Sequence, residues 1–270
     1  MSLLTPVRQM QQGFTLVELV VTIVLIGILG TGVASFIGNT TKGMVDTAER
    51  SQVANIALLV SEQLSRHLRD ALPNSVRISA DGSCIEYMPV YAGTDYLNAP
   101  VLVSSNQFEV APFGQIPVGF NFAARSLRVA IYPVSLTGLY APGTNSVISP
   151  TVSQLSAGST PNAHTLQLSA SHQFPEDSPS KRLFLVEQPV MFCFQGGLLI
   201  RYHDYGYNSS FSTSGLSNQT VYGSKVYAGQ FAYVPSNLKR NAVVNISFEV
   251  RGKDNLVQVV NQEVQIRNVP

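Results

Sequence analysis

Between Phe14 and Gly38 the sequence carries one ionisable side chain, Glu18, in a run that is otherwise apolar or small. As a helix this stretch reaches about 37 Å, enough to span a hydrocarbon core of about 30 Å. A secretory signal has a shorter apolar core followed by a small-x-small cleavage site. Here a polar segment, "MSLLTPVRQMQQG", comes first and the apolar run continues far beyond it. A carboxylate inside hydrocarbon costs about 2.5–3.5 kcal/mol on insertion scales, so Glu18 needs a partner. Cutting the peptide bond after Gly13 would supply one: Phe14 would expose a cationic α-amino group one helical turn away. A neighbouring subunit's amine would serve equally well. A helix starting at Phe14 also puts Glu18 in its first turn, where the helix dipole favours an anion. The competing reading is a signal anchor that happens to carry an acid.

Gly13-Phe14-Thr15-Leu16-Val17-Glu18, followed by an unbroken apolar helix, resembles the class III signal of type IV prepilins and type II secretion pseudopilins. The resemblance implies that a membrane aspartyl protease, the prepilin peptidase, cuts after Gly13 and methylates the new amine of Phe14. It also implies that Glu18 aligns subunits during assembly in the inner membrane. Two features depart from that family. The leader has one basic residue, Arg8, so its positive-inside signal is modest. Many major pilins carry a proline about two turns along the helix, whereas no proline occurs between Phe14 and Leu72. Gly27, Gly30, Gly32 and Gly38 are instead the points where this helix could stretch or melt on packing, each costing about 1 kcal/mol relative to Ala.

From Thr41 to Leu72 the pattern turns amphipathic. Val45, Ala48, Val53, Ile56, Val60, Leu64, Leu68 and Leu72 recur mostly at three- and four-residue steps, with Glu62 and Arg66 as an i,i+4 pair elsewhere on the wheel. Pro73 is expected to end the helix after Leu72. Beyond it the sequence reads as strands at 84–89, 127–132, 165–168, 182–186 and 190–194. Gly196-Gly197 makes a hairpin turn into 198–202, and a second hairpin joins residues 244–250 to 256–266 through "RGKDN". The expected fold class is α+β: a long N-terminal helix, hydrophobic then amphipathic, followed by a mainly antiparallel β domain. The expected divisions are a leader over 1–13, the helix over 14–72 (filament core or transmembrane part 14–38, amphipathic part 39–72) and a periplasmic domain over 73–270.

"LRDALPNSVR" at 68–77, the strands holding Cys84 and Cys193, the Gly-Gly hairpin and the closing "QIRNVP" are similar to large minor pilins. The nearest resemblance is to the O-type minor pilin of the mannose-sensitive haemagglutinin pilus, and a more distant one to J-type pseudopilins. That resemblance implies a non-enzymatic subunit that initiates or caps a filament with other minor and major pilins.

Cys84 and Cys193 both follow the apolar run, so they share a compartment and can pair. A disulfide closing about a hundred residues contributes about 4–5 kcal/mol in the chain-entropy model; the alternative is two unpaired buried thiols. With 17 Lys+Arg against 16 Asp+Glu and no basic stripe interleaved with aromatics, nothing points to nucleic acid. His67, His164, His172 and His203 lack acidic or cysteine neighbours at ligand spacing, apart from the adjacent pair His203-Asp204. No metal, cofactor or catalytic set is expected. The segment from Tyr202 to Gly229, with Tyr202, Tyr205 and Tyr207 among Ser, Gly and Asn, has the composition of adaptable recognition loops. Its readings are a solvent-exposed connection, a contact with another minor pilin, or adhesion to a surface or glycan. Residues 138–161, rich in Ser, Thr, Pro and Gly, read as a long surface loop.

Overall fold

The computed structural model describes residues 13–134, 136, 138–143, 145–236 and 240–266. Most of the leader, Arg8 included, and the last four residues of the closing "QIRNVP" lie outside the described residues. The chain divides into two compact units at Ser51/Gln52. One helix, α1 (Leu16–Arg69), runs through both, and the strands that follow it pair antiparallel throughout. The α+β class is therefore the one found.

In the first unit α1 is unbroken across Gly27, Gly30, Gly32 and Gly38 in the single chain. In the second unit its face turns apolar: Val53, Ala57, Val60, Leu64 and Leu68 are buried and Ile56 packs beside them. Each of the larger side chains contributes about 1.5–3 kcal/mol by leaving water. Val45 and Ala48, the first two positions of the expected stripe, are exposed. Glu62 and Arg66 form the expected pair at 3.0 Å, on the solvent side.

The helix ends at Arg69, three residues earlier than Pro73 alone predicts. The backbone there is already engaged elsewhere. The amide of Leu72 donates to the Met88 carbonyl at 2.8 Å, the amide of Val90 donates to the Asp70 carbonyl at 2.7 Å, and Ala71 bridges Pro89.

Three sheets follow. β1 (Arg77–Ile78), β2 (Cys84–Tyr87), β9 (Val190–Gln195), β10 (Leu198–Tyr202) and β11 (Gln219–Ser224) form the first, in the order β1-β2-β9-β10-β11. β12 (Val226–Val234), β13 (Ala242–Arg251) and β14 (Val257–Ile266) form a meander. Both contribute to one core with α1, through Ile85, Tyr87, Phe192, Phe231, Ile246 and Phe248 among others. The hairpin turn at Gly196-Gly197 has φ of 59° and 76°, the left-handed pair that a two-residue turn requires.

The third sheet is an insertion. Because β2 pairs directly with β9, all of β3 (Val90–Asp95), β4 (Ser105–Val110), β5 (Arg128–Ile131), β6 (Ile148–Ala157), β7 (His164–His172) and β8 (Arg182–Val186) lie between two neighbouring strands of the first sheet. They assemble in the order β3-β8-β5-β6-β7-β4 around their own core of Phe108, Phe122, Leu155, Phe174 and Leu183.

Two expectations need correction. Residues 138–161 are not simply a surface loop: β6 lies inside the six-stranded sheet, with Ile148, Val152 and Leu155 buried. Nor is 202–229 one connection, because its last third is strand, β11 and the start of β12.

Candidate functional site

The N-terminus of α1 is built by Thr15. The Glu18 amide donates to the Thr15 carbonyl at 3.1 Å and to Thr15 Oγ1 at 3.3 Å, and the Leu19 amide donates to the same carbonyl at 3.2 Å. Thr15 is thus the N-cap, and Thr-x-x-Glu is the capping-box spacing. The helix therefore starts at Leu16, two residues later than the apolar pattern alone suggests, and Phe14 precedes it, 74% exposed. Glu18 stands in the first turn, where the unsatisfied amides favour its carboxylate. A Cβ added at Gly13 would meet nothing within 4 Å.

The following turns expose Leu16, Val17, Leu19, Ile23, Ile26 and Leu29 to their surroundings. A helix of this length and composition is sufficient to cross a membrane. Three of its hydroxyls suit such a setting: Thr22 donates to the Leu19 carbonyl at 2.8 Å, Thr31 to Ile28 at 2.9 Å and Thr40 to Phe36 at 2.8 Å. No polar hydrogen of these side chains is left to hydrocarbon.

Residues 8–34 match the family model described as the prokaryotic N-terminal methylation motif. The motif is that of type IV pilin-like prepilins. It covers Gly13, Phe14 and Glu18 together with most of the exposed apolar turns, and with that helix it points to anchoring in a membrane. The family it marks is structural, and it implies processing by a prepilin peptidase and assembly with other pilins. No curated protein and no solved structure matches the chain.

In the second unit, Cys84 and Cys193 are joined as a disulfide across the β2–β9 pair, where they are register partners. Both are buried. The tyrosine segment is held down rather than presented. Tyr202 is buried and donates to Gln195 Oε1 at 3.2 Å, and Tyr205 donates to Glu86 Oε1 at 2.8 Å. Burial, reinforced by the Glu86 carboxylate, pushes the Tyr205 phenol far above its ordinary range. Tyr207 is half-buried with the Arg128 guanidinium 4.9 Å from its ring, and burial pushes its phenol up to about 12.

What fastens this segment is a group the sequence did not single out. Glu86, buried in β2, forms an ion pair with Arg77 of β1. Arg77 also donates to the carbonyls of Asn208 at 2.7 Å and Ser209 at 3.0 Å, and stacks 3.6 Å from the Tyr140 ring centroid. Thr15 was not singled out either, although its Thr-x-x-Glu spacing before an apolar run is a signal that could have found it. The Arg77–Glu86 pair has no such signal, because its meaning comes from carbonyls 131 and 132 residues away.

His203 and Asp204 meet at 2.7 Å, with Asp204 exposed. Among the described residues no three His, Cys, Asp or Glu side chains gather where they could hold a metal ion.

Proposed function

We propose that this chain is a minor pilin of a type IV pilus of the mannose-sensitive haemagglutinin kind, which initiates or caps the filament. In this reading prepilin peptidase cuts after Gly13 and methylates Phe14, and the subunit waits in the inner membrane with its β domain in the periplasm. Assembly packs the 14–38 helices into the filament core. There Glu18 neutralises an α-amino group, its own or a neighbour's, which answers the cost of placing a carboxylate among apolar side chains. The observation that carries the reading is the pairing of a matched methylation motif with a helix whose apolar turns are uncovered and whose apolar part has its one acid in the capped first turn.

A secretion pseudopilin shares that motif, and fractionation separates the two. Recovery of the chain in filaments sheared from the cell surface supports the pilus; its confinement to the membrane fraction, with surface pili otherwise normal, contradicts it.

A further inference from the structure

The seam between the first sheet and the inserted one holds a cleft of about 610 Å3, in the size range of small-ligand sites. The inserted sheet supplies Arg128 and Thr151, the β8–β9 connection supplies Gln188, and the tyrosine segment supplies Tyr207 and Ser209. Past Ser126 and Gln188, which line both, it continues into a second cleft of about 500 Å3 lined by Arg201 and by two ion pairs, Arg125–Glu187 and His203–Asp204. Arg201 Nε is buried there with no hydrogen-bond partner among the described residues.

The chemistry of the first cleft is one-sided. Its lining carries a guanidinium and several hydroxyl and amide groups but no carboxylate. Arg128 is pre-positioned: one N–H donates to the Ser149 carbonyl at 2.8 Å and its plane lies by the Tyr207 ring. Gln188, which lines the cleft, accepts from the Gly206 amide at 3.2 Å through Oε1 and carries two N–H donors on its other amide atom. Ser126 sits half-buried between the two clefts at φ 50°, a conformation that costs a non-glycine residue about 1–3 kcal/mol. The wall formed by Tyr207 and Ser209 is clamped from behind by Arg77 and Glu86, so it does not have to be ordered on binding.

We propose that this double cleft binds an acidic oligosaccharide. A sugar carboxylate pairs with Arg128, ring hydroxyls accept from Gln188 and exchange hydrogen bonds with Ser126 and Ser209, and the next residue of the sugar chain extends toward Arg201. In the first cleft a lone guanidinium with no lysine beside it suits a single carboxylate better than a phosphate cluster. The site needs only the folded second unit, so it stands or falls independently of whether the chain builds a pilus.

The test is calorimetric titration of the detergent-solubilised full chain with trigalacturonic acid and with its methyl ester, which keeps the hydroxyls and removes the charge. The acid should bind, and the ester at least about tenfold more weakly, the size of one hydrogen bond to a charged group. Arg128→Gln should weaken the acid by a similar factor. Because Arg128 also braces Ser149, Ser126→Gly provides the second variant: it relieves the positive φ, so its unfolding temperature should stay level or rise while affinity falls severalfold. No binding of the acid, equal binding of acid and ester, or full affinity in a well-folded Ser126→Gly would overturn the proposal.

Discussion

Glu86 and Arg77 form an ion pair in which the carboxylate side chain is 1% exposed and the guanidinium side chain 12%. It is a junction rather than a surface ornament. The Tyr205 hydroxyl donates to the other carboxylate oxygen, and the remaining guanidinium N–H groups hold two carbonyls of the tyrosine segment. Removing one partner leaves a buried charge without compensation, at a cost of about 3–5 kcal/mol. Glu86→Ala should lower the denaturant midpoint by a corresponding amount and open residues 203–218 to limited proteolysis. Unchanged protease resistance of that segment would show that the clamp does not order it.

The disulfide closes a span of 109 residues that contains the whole inserted sheet. On the chain-entropy account Cys84→Ser or Cys193→Ser should cost about 4–5 kcal/mol, because the unfolded chain regains that loop. The comparison is thermal unfolding of the wild-type protein with and without reductant, beside either serine variant. Identical midpoints in all three would contradict a stabilising role.

His172 is fully buried against Phe174, with ring centroids 4.6 Å apart. Its Nε2 lies 2.8 Å from the Ser146 carbonyl and its Nδ1 has no partner among the described residues. A second ring proton would therefore point at nothing that accepts it. Burial holds the pKa below the ordinary 6.5, against the opposing pull of that carbonyl. The native state thus resists a proton that the unfolded chain accepts. The contribution is complete above the unfolded value and is lost as pH falls from there toward the folded one. Half-buried His67 shifts the same way, chiefly by burial and then by the nearby Arg201 charge. Urea midpoints should drop between about pH 7 and pH 5, and the drop should shrink in His172→Gln. An equal slope in the variant would place the acid sensitivity elsewhere.

Gly13 has open space around the position of an added Cβ, so a larger residue there leaves the chain's own packing untouched. Gly13→Val should nevertheless abolish cutting, read as retention of the precursor mass in membranes. Glu18→Val should be cut normally and assemble poorly, read as loss of surface pili at equal membrane abundance. Normal piliation in Glu18→Val would remove the pairing argument.

The helix and the hairpins at Gly196-Gly197 and after β13 were legible because each depends on local signals, an apolar run, a stripe or a turn dipeptide, and the disulfide partners because the chain has two cysteines, both beyond the apolar run. What was hidden depends on residues whose usual meaning is reversed by packing. Pro150 argues against an interior strand, yet β6 accommodates it at a register shift, with Arg128 opposite Thr151 and Ala130 opposite Ile148. Gly223 and Gly229 gave the tyrosine-rich segment its loop-like composition. In the structure they are strand positions where a Cβ would collide with Val60 and with the Phe194 ring. The same inversion concealed the candidate cleft: the tyrosines read as outward contacts are anchored inward, and the polar groups around them form the wall.

The central claim is that Gly13 is the last residue of a leader and Phe14 the first of the working subunit. N-terminal peptide mass spectrometry of the chain from membranes and from sheared filaments tests it most directly. The account predicts a mature chain that begins at N-methylated Phe14 in both fractions. A chain that still carries its leader, or that begins at an unmodified residue elsewhere, would leave Glu18 without its amine and contradict the assembly mechanism.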